Sequence, residues 1–344
     1  MSLIKVKQSS VDGGVGDALR VNANPLIING NMAVSQRGTS FSSVGDGVYT
    51  LDRFETQKNN DGAVTVTQEA LTSGNAYNAG FRTALKCDVT TADGTLATNQ
   101  RFQIQQIIEG QNLQSLKFGT ANAEKLTLAF WVKATKTGTH IVRLFLYDDD
   151  RSVSASYTVS SSNTWEHKVL NFPADTTGVI DNDNGAGMQV NWFMGAGASF
   201  QSGTLATTWG SNTTANDAVG QVNGLDSTSN NFHLTGVQLE VGEYTSSTLP
   251  PFQHESYDEN FQRCIRYYYD KPVGTNYHGY YYSSTSDIIG TVYFPKIMRA
   301  SPTLNSALNS YDYGSTGNVS DHGFLILKAG TGAYGQRYTA NAEL

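Results

Sequence analysis

Two stretches, LTLAFWV (126–132) and IVRLFLY (141–147), carry the residues best suited to chemistry. Period-two alternation turns Leu126, Leu128, Phe130 and Val132 to one side of the first and Trp131 to the other. In the second, Val142, Leu144 and Leu146 share the apolar side, leaving Arg143, Phe145 and Tyr147 opposite. With the two stretches as neighbours in one sheet, Trp131, Arg143 and Tyr147 fall together on a face turned away from the core. Aromatic rings beside polar groups stack on the apolar C–H faces of pyranoses while their neighbours bond the hydroxyl rim. The competing expectation is that a second sheet, the C-terminal residues or a sister subunit covers that face. Trp165, Trp192 and Trp209 read as core or loop plugs. Trp209 is kept as a second ligand candidate because it lies in the long, Ser/Thr/Gly/Asn-rich 195–222 loop.

Patterns for bond-making chemistry fail on spacing. GTGAYG (330–335) matches G-x-G-x-x-G, but a dinucleotide fold needs a further helix and strand after it, and few residues follow. The six histidines are scattered, and Gly-x-Ser-x-Gly, HExxH and Walker patterns are lacking. Asp148-Asp149-Asp150 reads as a solvated turn. DNDNG (181–185) imitates a calcium loop but places Ala186 and Trp192 where the turn glycine and closing glutamate belong. No catalytic residue, metal-ligand set or cofactor is therefore assigned, and the chain reads as a protein that binds and does not catalyse. Glycan hydrolysis is the rival from another class, because paired carboxylates meet only in three dimensions.

Composition sets the wider frame. At 344 residues with 39% hydrophobic content, the chain can bury real cores, while 15% charged residues and abundant turn formers favour β structure. A net charge of −7 without a Lys/Arg cluster excludes nucleic-acid binding as the main activity. No apolar run approaches membrane-spanning length and no signal peptide is evident, so no membrane insertion is expected. Cys87 and Cys264 fall in different units and read as buried free thiols.

About ten strand-like segments, Tyr49 to Glu55 among them, lie between turn clusters up to residue 241. The expected fold is all-β: a jelly-roll β-sandwich, a short coupling helix and a small β C-terminal module. The boundaries are an N-terminal arm over 1–25, the sandwich over 26–252, the helix over 253–271 and the module over 272–344. In β-like FHLTGVQLEV (232–241), the step from Leu234 to Val237 breaks alternation at Gly236 and predicts a bulge. Pro250-Pro251 ends the sheet, and Ser256 with Glu259 forms a capping box for the helix.

Three motifs resemble those of bacteriophage tail-fibre and related virion proteins. NGNMAVSQRG (29–38) is similar to that family's opening, and GVQLEVG (236–242) followed by PF-x-H-x-S-Y-x-E and C-x-R-YYY is similar to its junction. FPKIMRASP (294–302) resembles a third segment. The resemblance implies a virion protein made in the host cytoplasm: a tail fibre or receptor-binding part that attaches to host-surface glycans. A virion assembly part without glycan binding, such as a capsid decoration or fibre adaptor, is the alternative. It further implies a homo-oligomer, a trimer by the fibre habit and by the tyrosines at 267–269 and 280–282, attached to other virion proteins through the N-terminal arm.

Overall fold

Runs of Val, Ile, Thr and aromatic residues, cut by Gly-, Asn- and Asp-rich turns, become antiparallel strands in the computed structural model. It describes residues 25–270, 287–305, 315–328 and 338–344. In chain order come β1 (Ser40–Phe41), β2 (Val48–Tyr49), β3 (Glu55–Lys58), β4 (Ala63–Ala70), β5 (Thr83–Thr91), β6 (Arg101–Glu109) and β7 (Leu126–Ala134). β8 (Gly138–Leu146), β9 (Arg151–Val159), β10 (Glu166–Phe172), β11 (Ala186–Ala196), β12 (Gly210–Ser211) and β13 (Asn231–Val241) complete the body. Sheet A runs β1-β4-β5-β13-β7-β10 and sheet B runs β12-β9-β8-β11-β6-β3-β2. The result is the expected jelly-roll β-sandwich.

The core forms where the apolar teeth of the two sheets meet. Leu126, Leu128, Phe130 and Val132 of β7 share one buried cluster with Val142, Leu144 and Leu146 of β8 and with Phe102 and Ile104 of β6. At its centre the fully buried Trp192 of β11 meets Phe130 edge-on at 5.9 Å and Phe54 at 6.5 Å. Cys87 and Cys264 are buried and free. The predicted bulge is present in β13: its register against β7 shifts between Thr235 and Gln238, and Gly236 has φ +60°. A Cβ at Gly236 would lie 2.6 Å from the Phe81 ring, so only glycine fits both the turn and the space.

Two expected elements differ. The run from Tyr49 to Glu55 is not one strand, because a reversal at Arg53 (φ 72°) separates β2 from β3. Tertiary bonds hold that reversal: Asn29 Nδ2 donates to the Asp52 carbonyl at 3.0 Å, and the Gln36 N–H donates to Asp52 Oδ1 at 2.8 Å. The coupling helix is also shorter than 253–271. Helix α1 (Asn75–Asn78) is a single turn beside sheet A, and α2 (Tyr257–Ile265) is the coupling helix, with the Ser256/Glu259 capping box in place. Beyond it the tyrosines turn extended as β14 (Tyr268–Asp270), which pairs with a strand far downstream.

That strand belongs to the module, built of β15 (Asp287–Tyr293), β16 (Thr303–Asn305), β17 (Ser315–Gly317), β18 (Gly323–Lys328) and β19 (Thr339–Asn341). Two small sheets, β14-β19-β16 and β15-β18-β17, enclose a core formed by Val292, Phe294, Met298, Phe324, Tyr338, Ala340 and Ala342. The described part of the module docks on the sandwich through buried charges and aromatic rings. Arg53 pairs with Glu343 and stacks over Tyr267 at 3.5 Å, while Arg37 stacks over Tyr268 at 3.5 Å. Arg266 forks onto the buried Glu109 at 2.8 and 2.7 Å, and the Arg299 N–H donates to the Arg266 carbonyl at 2.7 Å. Residues of all three virion-like motifs thus meet at this junction. The expected arm (1–25) and the tyrosines at 277 and 280–282 lie almost wholly outside the described residues, Pro25 excepted.

The chain enters the sandwich through a clasp. The Gln106 side-chain amide accepts from the Ile28 N–H at 2.8 Å and donates to the Ile28 carbonyl at 2.9 Å. The Val237 N–H donates to the Gly30 carbonyl at 2.9 Å, and Arg263 donates to the Pro25 carbonyl.

Asp52, 1% exposed, gives this junction a pH dependence. Burial pushes its pKa up to about 6, against its two hydrogen bonds from Gln36. An acid whose folded pKa lies above its unfolded one favours folding fully below the unfolded value. That contribution is lost as pH rises through the folded value. Wild type minus Asp52→Asn should therefore lose on the order of 1–3 kcal/mol of unfolding free energy between pH 4 and pH 7. Urea denaturation of both proteins at the two pH values measures it, and a constant difference would refute it.

Candidate functional site

β7 and β8 are consecutive but not neighbours: three residues, 135–137, carry the chain from sheet A to sheet B. Their apolar teeth face each other across the core, so their outer residues point to opposite sides of the sandwich. The expected common face of Trp131, Arg143 and Tyr147 is therefore corrected: Trp131 lies outside sheet A, and Arg143 and Tyr147 outside sheet B. Trp131 is half-buried against Phe81, Trp165 and Phe252, with its ring 5.0 Å from His167. The segment carrying α1 and the Pro250–Pro251 region cover it, and it packs that face. Trp209 is corrected likewise. Its indole N–H donates to the Pro173 carbonyl at 2.8 Å and its ring meets Phe118 edge-on at 5.5 Å, plugging the core edge beside β12.

Sheet B brings together what the sequence left scattered. Cross-strand register aligns Arg143 with Asn191, Asn191 with Gln105, and Gln105 with Glu55, forming one row across four strands. Hydrogen bonds run along it. Arg143 pairs with Asp217 at 2.5 Å and donates to Asn191 at 3.4 Å and Gln189 at 3.3 Å. Asn191 donates to Gln105 at 2.9 Å, and Gln105 donates to Glu55 at 2.5 Å. Burial raises the carboxyl pKa of both Glu55 and Asp217, against Gln105 in the first case and Arg143 in the second. Asp217 Oδ1 and Gln103 Oε1 are buried and find no hydrogen-bond partner among the described residues.

Beside this polar row stands an aromatic pair. Phe145 and Tyr147 meet edge-to-face at 5.1 Å, and the Arg143 guanidinium lies 5.1 Å from the Phe145 ring centre. Tyr147 is 38% exposed, and burial, with the Glu55 charge adding to it, pushes its pKa up to about 12. The 195–222 loop is ordered over the neighbouring part of the face, where Phe200, Ala218 and Leu205 cover Ile141 and Phe193. The loop also delivers Asp217 to Arg143.

Glu55, Gln103, Gln105, Gln189, Asn191 and Asp217 were missed from sequence. A signal existed in the polar residues alternating with apolar ones at 103–105 and 189–191. What was lacking was the strand order that makes them neighbours. Asp148 and Asp149 accept backbone N–H bonds from Asp181 at 2.9 Å and Val179 at 3.0 Å, so this acidic cluster braces a turn. Among the described residues no group of three His, Cys, Asp or Glu side chains could hold a metal, and no helix is long and apolar enough to cross a membrane. The GTGAYG stretch lies outside the described residues.

No family model and no curated protein matches the sequence. Solved structures match weakly. The enzymatically active domain of tailspike protein 4 of bacteriophage CBA120 aligns over 58% of this chain at 16% identity and a TM-score of 0.32, and the match spans 21% of that chain. A putative sugar binding protein from Bacteroides thetaiotaomicron aligns over 63% of this chain and 100% of its own at 14% identity and a TM-score of 0.33. A family 11 carbohydrate-binding module from Clostridium thermocellum, in complex with a mixed-linked tetrasaccharide, aligns over 62% and 99% at 11% identity and a TM-score of 0.30. Likenesses this distant carry no functional assignment, and the jelly-roll class rests on the two-sheet topology of the chain itself.

Proposed function

We propose that this protein is a phage virion component, of the tail-fibre or receptor-binding kind, that attaches to host-surface glycans through the outer face of sheet B. The carrying observation is the row Arg143, Asn191, Gln105 and Glu55 beside the Phe145–Tyr147 pair. Amides and charges suit a hydroxyl rim, and rings suit the apolar face of a sugar. The function is binding, with no catalysis. The virion part of the proposal is supported by the three motifs and their meeting at the module junction.

Tyr147→Ala tests the face. The ring is partly exposed and meets only Phe145 among the described aromatic side chains, so the melting temperature should stay within experimental error of wild type. Binding to host cells or their purified glycans should weaken by about 1–3 kcal/mol, by analogy with bases stacked on aromatic platforms. Unchanged binding by a folded Tyr147→Ala protein refutes the site.

The proposal includes a homotrimer, supported by the thin module core and by exposed Tyr293 and Ile297. Light scattering should give three times the 37.2 kDa chain mass, and a monomer at micromolar concentration overturns it.

A further inference from the structure

A cavity of about 540 Å³ opens at the junction, away from the aromatic pair of sheet B. Its wall is made by the entering segment at 25–28, the end of β6 at 106–108, the short helical turn Gly110–Leu116, α2 with the two residues after it, and Lys296 of the module. Its size lies within the range of small-molecule sites.

The charges in the wall are unevenly satisfied. Arg263 is forked onto Glu255 at 2.8 and 2.9 Å, and Arg266 onto Glu109. Lys296 is half-buried beside them and has no ion pair or hydrogen bond among the described residues. Burial, then repulsion from Arg263 and Arg266, lowers its pKa. One cation is thus left without an anion, while both guanidinium forks are occupied and cannot clamp a phosphate. The rest of the wall is mixed. Pro25 and Leu26, both half-buried, supply apolar surface, and Asn112 and Ser115, both exposed, supply neutral hydrogen-bonding groups.

We propose that this junction cavity binds a carboxylated monosaccharide unit, its carboxylate on Lys296, its hydroxyls on Asn112 and Ser115, and its ring against Pro25 and Leu26. A single negative charge matches the single unpaired ammonium. The neutral polar groups beside an apolar strip match a hydroxylated ring. The site is separate from the sheet B face and does not depend on it.

Calorimetric titration of the full chain at low ionic strength with methyl glucuronoside, methyl glucoside, acetate and inorganic phosphate tests this. The glucuronoside should bind more tightly than each of the others. Lys296→Met should weaken it about tenfold, the order of one charge-assisted contact, and Lys296→Arg should restore it. Lys296 makes no hydrogen bond or ion pair among the described residues, so both variants should melt close to wild type. Tyr147→Ala should leave glucuronoside binding unchanged, which separates this site from the sheet B face. Equal affinity for glucoside, or for acetate or phosphate, overturns the proposal. So does glucuronoside binding that Tyr147→Ala abolishes and Lys296→Met spares.

Discussion

Replacing Arg53 by alanine is expected to lower the unfolding free energy by roughly 3–5 kcal/mol, because it takes the nearer of two cations from a buried carboxylate and leaves it Arg37 at 3.3 Å. The Arg53 side chain is 1% exposed and that of its partner Glu343 is 4% exposed. Burial opposes the charge on Arg53, and Glu343 with two tyrosines outweighs it, so the arginine pKa stays above its ordinary value. The same guanidinium donates to the Ile107 carbonyl of the sandwich and stacks on Tyr267. Glu343 comes from the module side, so the pair is where the two units hold each other. Replacing both partners, Arg53→Met with Glu343→Leu, should recover part of the loss but not all of it, since the buried pair is gone while Arg37, also paired with Glu343 at 3.3 Å, loses its carboxylate. Guanidinium denaturation of the two single variants and the double variant measures the cycle. A single-variant loss below about 1 kcal/mol, the range of exposed pairs, would show the pair to be solvated.

Trp192→Ala should cost a similar 3–5 kcal/mol, for a different reason. The ring is fully buried and bridges the sheets, touching Phe130 of sheet A and Phe54 beside β3. Its indole N–H finds no acceptor among the described residues. Trp192→Phe removes that orphaned donor while keeping most of the ring, and should cost less than about 1.5 kcal/mol. If phenylalanine proved as costly as alanine, the N–H would have a partner, such as a buried water, and the packing argument would fail.

Features set by neighbours in sequence were legible before the structure. The Gly236 bulge follows from a broken alternation, and the helix start from Ser256 and Glu259 three residues apart. Features set by strand order were not. The outward residues of β7 and β8 look the same whether those strands lie side by side or face each other across a core. Trp131 and Arg143 could therefore be paired on paper although a sandwich separates them. The row from Arg143 to Glu55 draws on β8, β11, β6 and β3, which no local pattern makes adjacent. Tyr268 turned from helix to strand because β19, far along the chain, offered it a ladder. The motif residues were easy to see, yet Gln36, Arg37, Arg266 and Arg299 act at the junction and not on the aromatic face of sheet B.

The clasp on residues 25–30 bears on how the protein would carry tension. Pull applied to this segment from its N-terminal side meets Gln106 of β6, Val237 of β13 and Arg263 of α2 within a few residues. These anchors belong to sheet B, sheet A and the coupling helix, so no single strand edge takes the whole force and no hairpin can be peeled open bond by bond. Gly30 tightens the grip, because its missing side chain lets the backbone seat against the Val237 carbonyl, 2.1 Å from where a Cβ would stand. A tether entering here would hand its load to both layers of the sandwich at once.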